Sequence, residues 1–135
     1  MPLVTWDMSY SVRVAKCDED HKKLFALINS LHEAMMTGKG AQVIQKVVKE
    51  LVDYTQFHFS AEEKLLEQAH YPAFGPHRAQ HRVFVKKVEQ FQQDLKATTT
   101  GQAIAVVTFL KDWLTTHIMQ TDRQYSAHMN AKGIF

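Results

Sequence analysis

Three clusters of helix-breaking residues, Gly38-Lys39-Gly40, Pro72 through Pro76 with Gly75, and Thr98-Thr99-Thr100-Gly101, cut this chain into four long segments behind a non-periodic N-terminal arm. Each segment repeats its apolar residues every three to four positions, which is the spacing of one helical face. In the first, Asp18 stands where an N-cap is expected, and His21, Leu24, Ile28, Leu31 and Met35 form the stripe. The second carries Val47, Leu51, Tyr54, His58, Glu62 and Leu65. The third opens on Pro76, a residue suited to a first helical turn, and continues through His77, His81, Phe84, Val88, Phe91 and Leu95. The fourth runs through Val106, Leu110, Trp113 and His117. Strict alternation of apolar and polar residues, the mark of a strand, occurs nowhere. The pattern predicts an all-α chain: an antiparallel up-down-up-down four-helix bundle with an N-terminal arm over 1–17 and helices over about 18–37, 41–69, 76–97 and 102–121. One domain over 1–135 is expected.

Charge and composition narrow the function. A net charge of +2 on 135 residues provides no basic stripe that could track a phosphate backbone, so nucleic acid is not an expected partner. The opening MPLVTWDMSY lacks a positive leader followed by an apolar run, and no stretch is apolar for long enough to span a bilayer. A single cysteine, Cys17, suits a reducing compartment, and a cytoplasmic protein without membrane insertion is expected. Histidine is the residue out of line. There are eight, and in every one of the four helices at least one shares the stripe with leucine, valine or phenylalanine. A buried imidazole must satisfy two ring nitrogens, so histidines on an apolar face need a reason.

Metal binding supplies one. His58 and Glu62 are four residues apart, one above the other on one helical face, and His77 and His81 repeat that geometry on the next helix. His117 and Asp122 are separated by five, about 140° apart on a regular helix, so sharing one site requires a local irregularity between Ile118 and Asp122. His21 is the contribution of the first helix. Five imidazoles and two carboxylates exceed what one tetrahedral ion uses. Two six-coordinate ions can use them all: if Glu62 and Asp122 each bridge, together with a solvent-derived oxo or hydroxo group, one coordination position stays open for a small ligand. Imidazole suits iron, copper, nickel and zinc alike. The remaining histidines have plainer roles. His32 lies about 16 Å up the helix from His21 and reads as interior or rim packing; His70 and His128 read as solvated.

With these residues in hand, the chain resembles bacterial hemerythrin domains over nearly its whole length. The likeness rests on Trp6 in the arm, Asp18-Glu19-Asp20-His21-Lys22, Asn29-Ser30-Leu31, His58 to Glu62 with Glu63, Tyr71-Pro72, His77 to His81, and Trp113 to Ile118 with Asp122 and Tyr125. It implies two iron ions, His77, His81 and His117 on one, His21 and His58 on the other, Glu62 and Asp122 bridging, and dioxygen bound reversibly at the two-histidine ion. It also implies a dry lining from Leu24, Phe59, Trp113, Leu114 and Ile118. Arg13 and Lys16 depart from the family pattern, where a glycine and a small or apolar residue are commoner, and Cys17 replaces a branched aliphatic. An oxygen carrier, store or delivery protein is the leading expectation. The alternatives are an oxygen- or redox-sensing domain coupled to a signalling partner, and a di-iron peroxidase, oxidase or iron-handling protein. No acid-base residue beyond the ligands marks an enzyme, and the sequence names no protein partner.

Overall fold

A computed structural model describes residues 2–39, 41–94 and 100–135. Helices α1 (Ala15–Met36), α2 (Ala41–Gln68), α3 (Phe74–Asp94) and α4 (Thr100–Thr116) account for most of these, with no strand among the described residues. Consecutive helices pack side by side and α4 returns to α1, closing the antiparallel ring that short connections impose. Beyond α4 the chain continues through a π-helical turn, His117–Thr121, a 3-10 turn, Asp122–Tyr125, and a short helix α5, Ser126–Ala131. Sequence periodicity did not reveal α5, which is too short to show a stripe.

Several boundaries differ from expectation. Asp18 is not the N-cap: α1 begins at Ala15 after Val14, and the Asp18 carboxylate folds back to accept the Val12 N–H at 2.8 Å and the Ser11 hydroxyl at 2.7 Å. The arm therefore ends earlier than residue 17, and Lys16 and Cys17 belong to the first turn of α1. Pro76 sits inside the first turn of α3 rather than at its start, where its missing N–H still costs nothing. Gly40, Leu95, Thr98, Thr99 and the expected end of the third helix over 95–97 lie outside the described residues. Thr100 and Gly101, read as breakers, open α4 instead.

The stripes meet in the interior. Leu24, Ile28 and Leu31 from α1, Val48 and Leu51 from α2, Phe84 and Val88 from α3 and Leu110 and Leu114 from α4 are all buried in one cluster. α1 ends where Gly38, at φ +68°, turns the chain and the Lys39 N–H closes on Ala34 O at 2.9 Å. The arm is tied down from both sides. Asn29 accepts the Val4 N–H at 2.9 Å and donates to Val4 O at 2.7 Å, and Ser126 donates to Val12 O, placing α5 against the arm. Trp6 and Tyr10 meet Phe25 edge to face. Asn29→Ala strands two partly buried backbone groups of Val4, and is expected to cost about 1–3 kcal/mol in a thermal melt while leaving metal content unchanged.

Candidate metal centre

α1 runs opposite to α2, so the start of α1, which carries His21, lies beside the later turns of α2, which carry His58 and Glu62. α3 brings His77 and His81 from its first turns. The last contribution depends on the π turn. There the Asp122 N–H reaches back to both His117 O and Ile118 O, the extra residue per turn that lets His117 and Asp122 face the same space. Their Nε2 and Oδ1 atoms are 3.0 Å apart. The irregularity thus falls where the five-residue spacing required one.

All seven side chains, His21, His58, Glu62, His77, His81, His117 and Asp122, are buried. Their ligand atoms form two groups: Glu62, His77, His81, His117 and Asp122 in one, and His21, His58 and Glu62 in the other. The carboxylates explain the division. Glu62 Oε1 lies 2.9 Å from His77 Nε2 and 3.1 Å from His81 Nε2, while its Oε2 lies 3.4 Å from His58 Nε2 and 3.6 Å from His21 Nε2. Asp122 Oδ1 faces His77 at 2.9 Å and His117 at 3.0 Å, and its Oδ2 faces His21 at 3.2 Å. Asp122 therefore reaches the second group through His21, although it does not stand close to every member of it.

Most of these contacts are not hydrogen bonds. Nε2 of His21, His58, His81 and His117, and Oδ1 of Asp122, are buried without a hydrogen-bond partner. Leaving so many polar atoms unpaired costs too much for a packing motif, and nitrogen and oxygen atoms converging without alignment fit ligands placed around a third body. The donor set suits a transition metal. In the metal-free protein, burial opposes charge on His21, but Asp122 and Glu62 outweigh it and hold the ring up at about 10. His77 rises to about 9 against the same burial and for the same reason. Burial pushes the Glu62 and Asp122 carboxyls up, and the surrounding imidazoles override it, holding Glu62 well below its ordinary range and Asp122 low despite repulsion from Glu62.

A second ring of residues orients the first. His58 Nδ1 donates to Asp20 at 2.9 Å, His81 Nδ1 to Glu63 at 2.9 Å and His117 Nδ1 to the Gln80 amide oxygen at 2.8 Å. Tyr125 donates to Glu62 Oε2 at 2.9 Å. Such contacts fix ring orientation and donor strength. Sequence reasoning gave these residues no role, though Asp20 and Glu63 adjoin ligands in the chain. Phe59 lies flat on His81, with centroids 3.8 Å apart and planes within 3°; Trp113 stacks on His117 at 4.7 Å and on Phe84 at 4.5 Å. Leu24, Leu114 and Ile118 are buried in the core.

The other histidines separate as follows. His32 is half-buried on α1 and belongs to neither group. His70 is exposed, at φ 54° in the turn after α2. His128 is not solvated as expected: it is half-buried in α5 and donates to Ala69 O at 2.6 Å. His32→Ala is expected to leave the metal content intact, as measured by metal analysis of the purified variant.

A four-helix bundle whose interior holds two adjoining clusters of histidine and carboxylate defines a protein with a buried site able to hold metal. Residues 12–128 match the hemerythrin HHE cation binding domain family, and the chain belongs to the hemerythrin family. It is 34% identical to the bacteriohemerythrin of Stenotrophomonas maltophilia (strain R551-3) over 96% of this chain and 86% of that one. A hemerythrin-like protein of Naegleria gruberi is 37% identical over 89% and 88%. A crystal structure of wild-type hemerythrin superposes with a TM-score of 0.85 at 30% identity, covering 94% of this chain and 98% of that one.

Proposed function

We propose that this chain, as one hemerythrin-like unit over 1–135, holds two iron ions with an oxo or hydroxo bridge and binds dioxygen reversibly, as a carrier, store or delivery protein rather than an enzyme. His77, His81 and His117 would hold one ion, His21 and His58 the other, and Glu62 and Asp122 would bridge. The observation that carries this reading is the aim of the two carboxylates: each presents one oxygen to the three-histidine group and the other to the two-histidine group. When bound, the ferrous pair supplies the two reducing equivalents that dioxygen needs to be held reversibly.

The protein's own residues set the conditions. Five neutral imidazoles donate less charge than an all-carboxylate site, which favours the reduced metal. The Tyr125 hydroxyl occupies a lone pair of Glu62 Oε2 and keeps that carboxylate oriented. Leu24, Leu114 and Ile118, with Phe59 and Trp113 against the ligand rings, would exclude the water and protons that promote irreversible oxidation. No helix among the described residues is long and apolar enough to cross a membrane. A cytoplasmic location accompanies the reading, in keeping with Cys17, which is buried as a free thiol.

Metal analysis and visible spectroscopy test it together. About two irons per chain are expected, with a visible absorption that appears when the reduced protein meets air and disappears under vacuum over repeated cycles. A colourless protein carrying one zinc overturns the reading.

A further inference from the structure

The two metal positions differ in what stands behind their histidines. In the three-histidine group, His81 is backed by the partly exposed Glu63 and His117 by a neutral amide, while His77 Nδ1 has no partner. In the two-histidine group, His21 Nδ1 has no partner either, so the hydrogen bond from His58 to Asp20 is the one outer contact among the described residues that orients its histidines, Tyr125 serving the Glu62 carboxylate instead. Asp20 is itself buried, at 4% exposure. Its Oδ2 takes His58, and its Oδ1 takes two further donors: Lys16 Nζ at 2.8 Å and the Tyr54 hydroxyl at 2.9 Å.

Lys16 is the unexpected member. It occupies the first turn of α1, where the helix dipole disfavours a cation. Two contacts hold it there, the Asp20 carboxylate four residues on and the ring face of Phe57 on α2 at 5.2 Å. Phe57 adjoins His58, and Tyr54 lies one turn before it. Charge on Asp20 strengthens His58 as a donor and so favours the oxidised metal; a cation on the opposite oxygen draws that charge away. Tyr54 acts in the same direction but carries no charge.

We propose that Lys16 is a positioning residue that tunes the two-histidine metal position: by holding Asp20 Oδ1 it limits the charge Asp20 passes to His58 and favours the ferrous state that binds oxygen. The inference rests on the di-iron reading. It is specific in sign and in route, because the effect must run through Asp20.

The test compares Lys16→Met, which keeps the stem and removes the charge, with Lys16→Arg, which restores it, each alone and with Asp20→Asn. In iron-loaded protein titrated with dithionite and ferricyanide, Lys16→Met is expected to lower the ferrous-to-ferric ratio at fixed potential about threefold. The shift should shrink in 1 M salt, because the Lys16 side chain is 54% exposed. Lys16→Arg should match the parent. In metal-free protein, the proton on His58 Nδ1 should move downfield in the NMR spectrum of Lys16→Met as Asp20 draws it more strongly, and again not in Lys16→Arg. Equal shifts in the Met and Arg variants overturn the proposal, as does a Met effect that persists in the Asp20→Asn background. A chain that takes up no iron overturns the di-iron reading and the tuning with it. The His58 proton then still decides whether Lys16 governs Asp20.

Discussion

Glu62→Gln is expected to reduce bound iron from about two ions to fewer than one per chain and to abolish the reversible visible response to air. Glu62 is the one side chain common to both ligand groups, and four of the five histidines aim Nε2 atoms at its two oxygens. Glutamine keeps the volume and the helix propensity, so the bundle should fold and its helical circular dichroism should persist. What changes is chemistry. One amide end presents N–H donors where a metal requires a lone pair, and a unit of negative charge is lost from a buried site that, on the proposed di-iron reading, would balance two dications. Tyr125→Phe provides the contrast, since it removes only the hydrogen bond to Glu62 Oε2; it should retain most of the iron. Full iron retention by Glu62→Gln would show that the carboxylate is not shared between the two positions.

How much of this was legible in the sequence depended on whether a relationship lies within one helix or between two. His58 with Glu62, and His77 with His81, could be placed because a regular helix fixes the angle between residues four apart. His117 with Asp122 was legible in reverse: the five-residue spacing breaks the rule, and the π turn repairs it. Asp20 and His58 lie 38 residues apart, on different helices. Their pairing depends on how α1 and α2 are rotated about their own axes, which no spacing encodes. Asp18 was misread for a related reason. An acidic residue ahead of an apolar stripe resembles a cap, but here three further residues of helix precede it and its carboxylate serves the arm. His128 appeared solvated because α5, which carries it back against Ala69, was not visible as a helix.

The metal-free and metal-loaded proteins should respond to pH in opposite directions. In the metal-free protein the folded state raises His21 from an ordinary 6.5 to about 10 and His77 to about 9, because Asp122 and Glu62 outweigh the burial that opposes their charge. A raised imidazole stabilises the fold fully below its unfolded value and loses that contribution as pH climbs through the folded one. Stability from these two rings is therefore present below about 6.5 and lost between there and about 10. Glu62 and Asp122 are held low, so their contribution is present above their ordinary values of 4.5 and 3.8 and is lost as pH falls further. The metal-free chain should be most stable near pH 5 to 6, with a melting temperature about 10 °C lower by pH 10. Bound metal reverses the preference, because coordination requires the same imidazoles without their protons. Acid should release the iron, and the gap in melting temperature between loaded and chelator-treated protein should be narrow near pH 5 and widen steadily toward pH 9. Thermal melts of both forms across that range decide the matter. A metal-free melting temperature that stays level or rises above pH 6.5 would mean that Glu62 and Asp122 do not hold protonated histidines, and that the site is assembled by the metal itself.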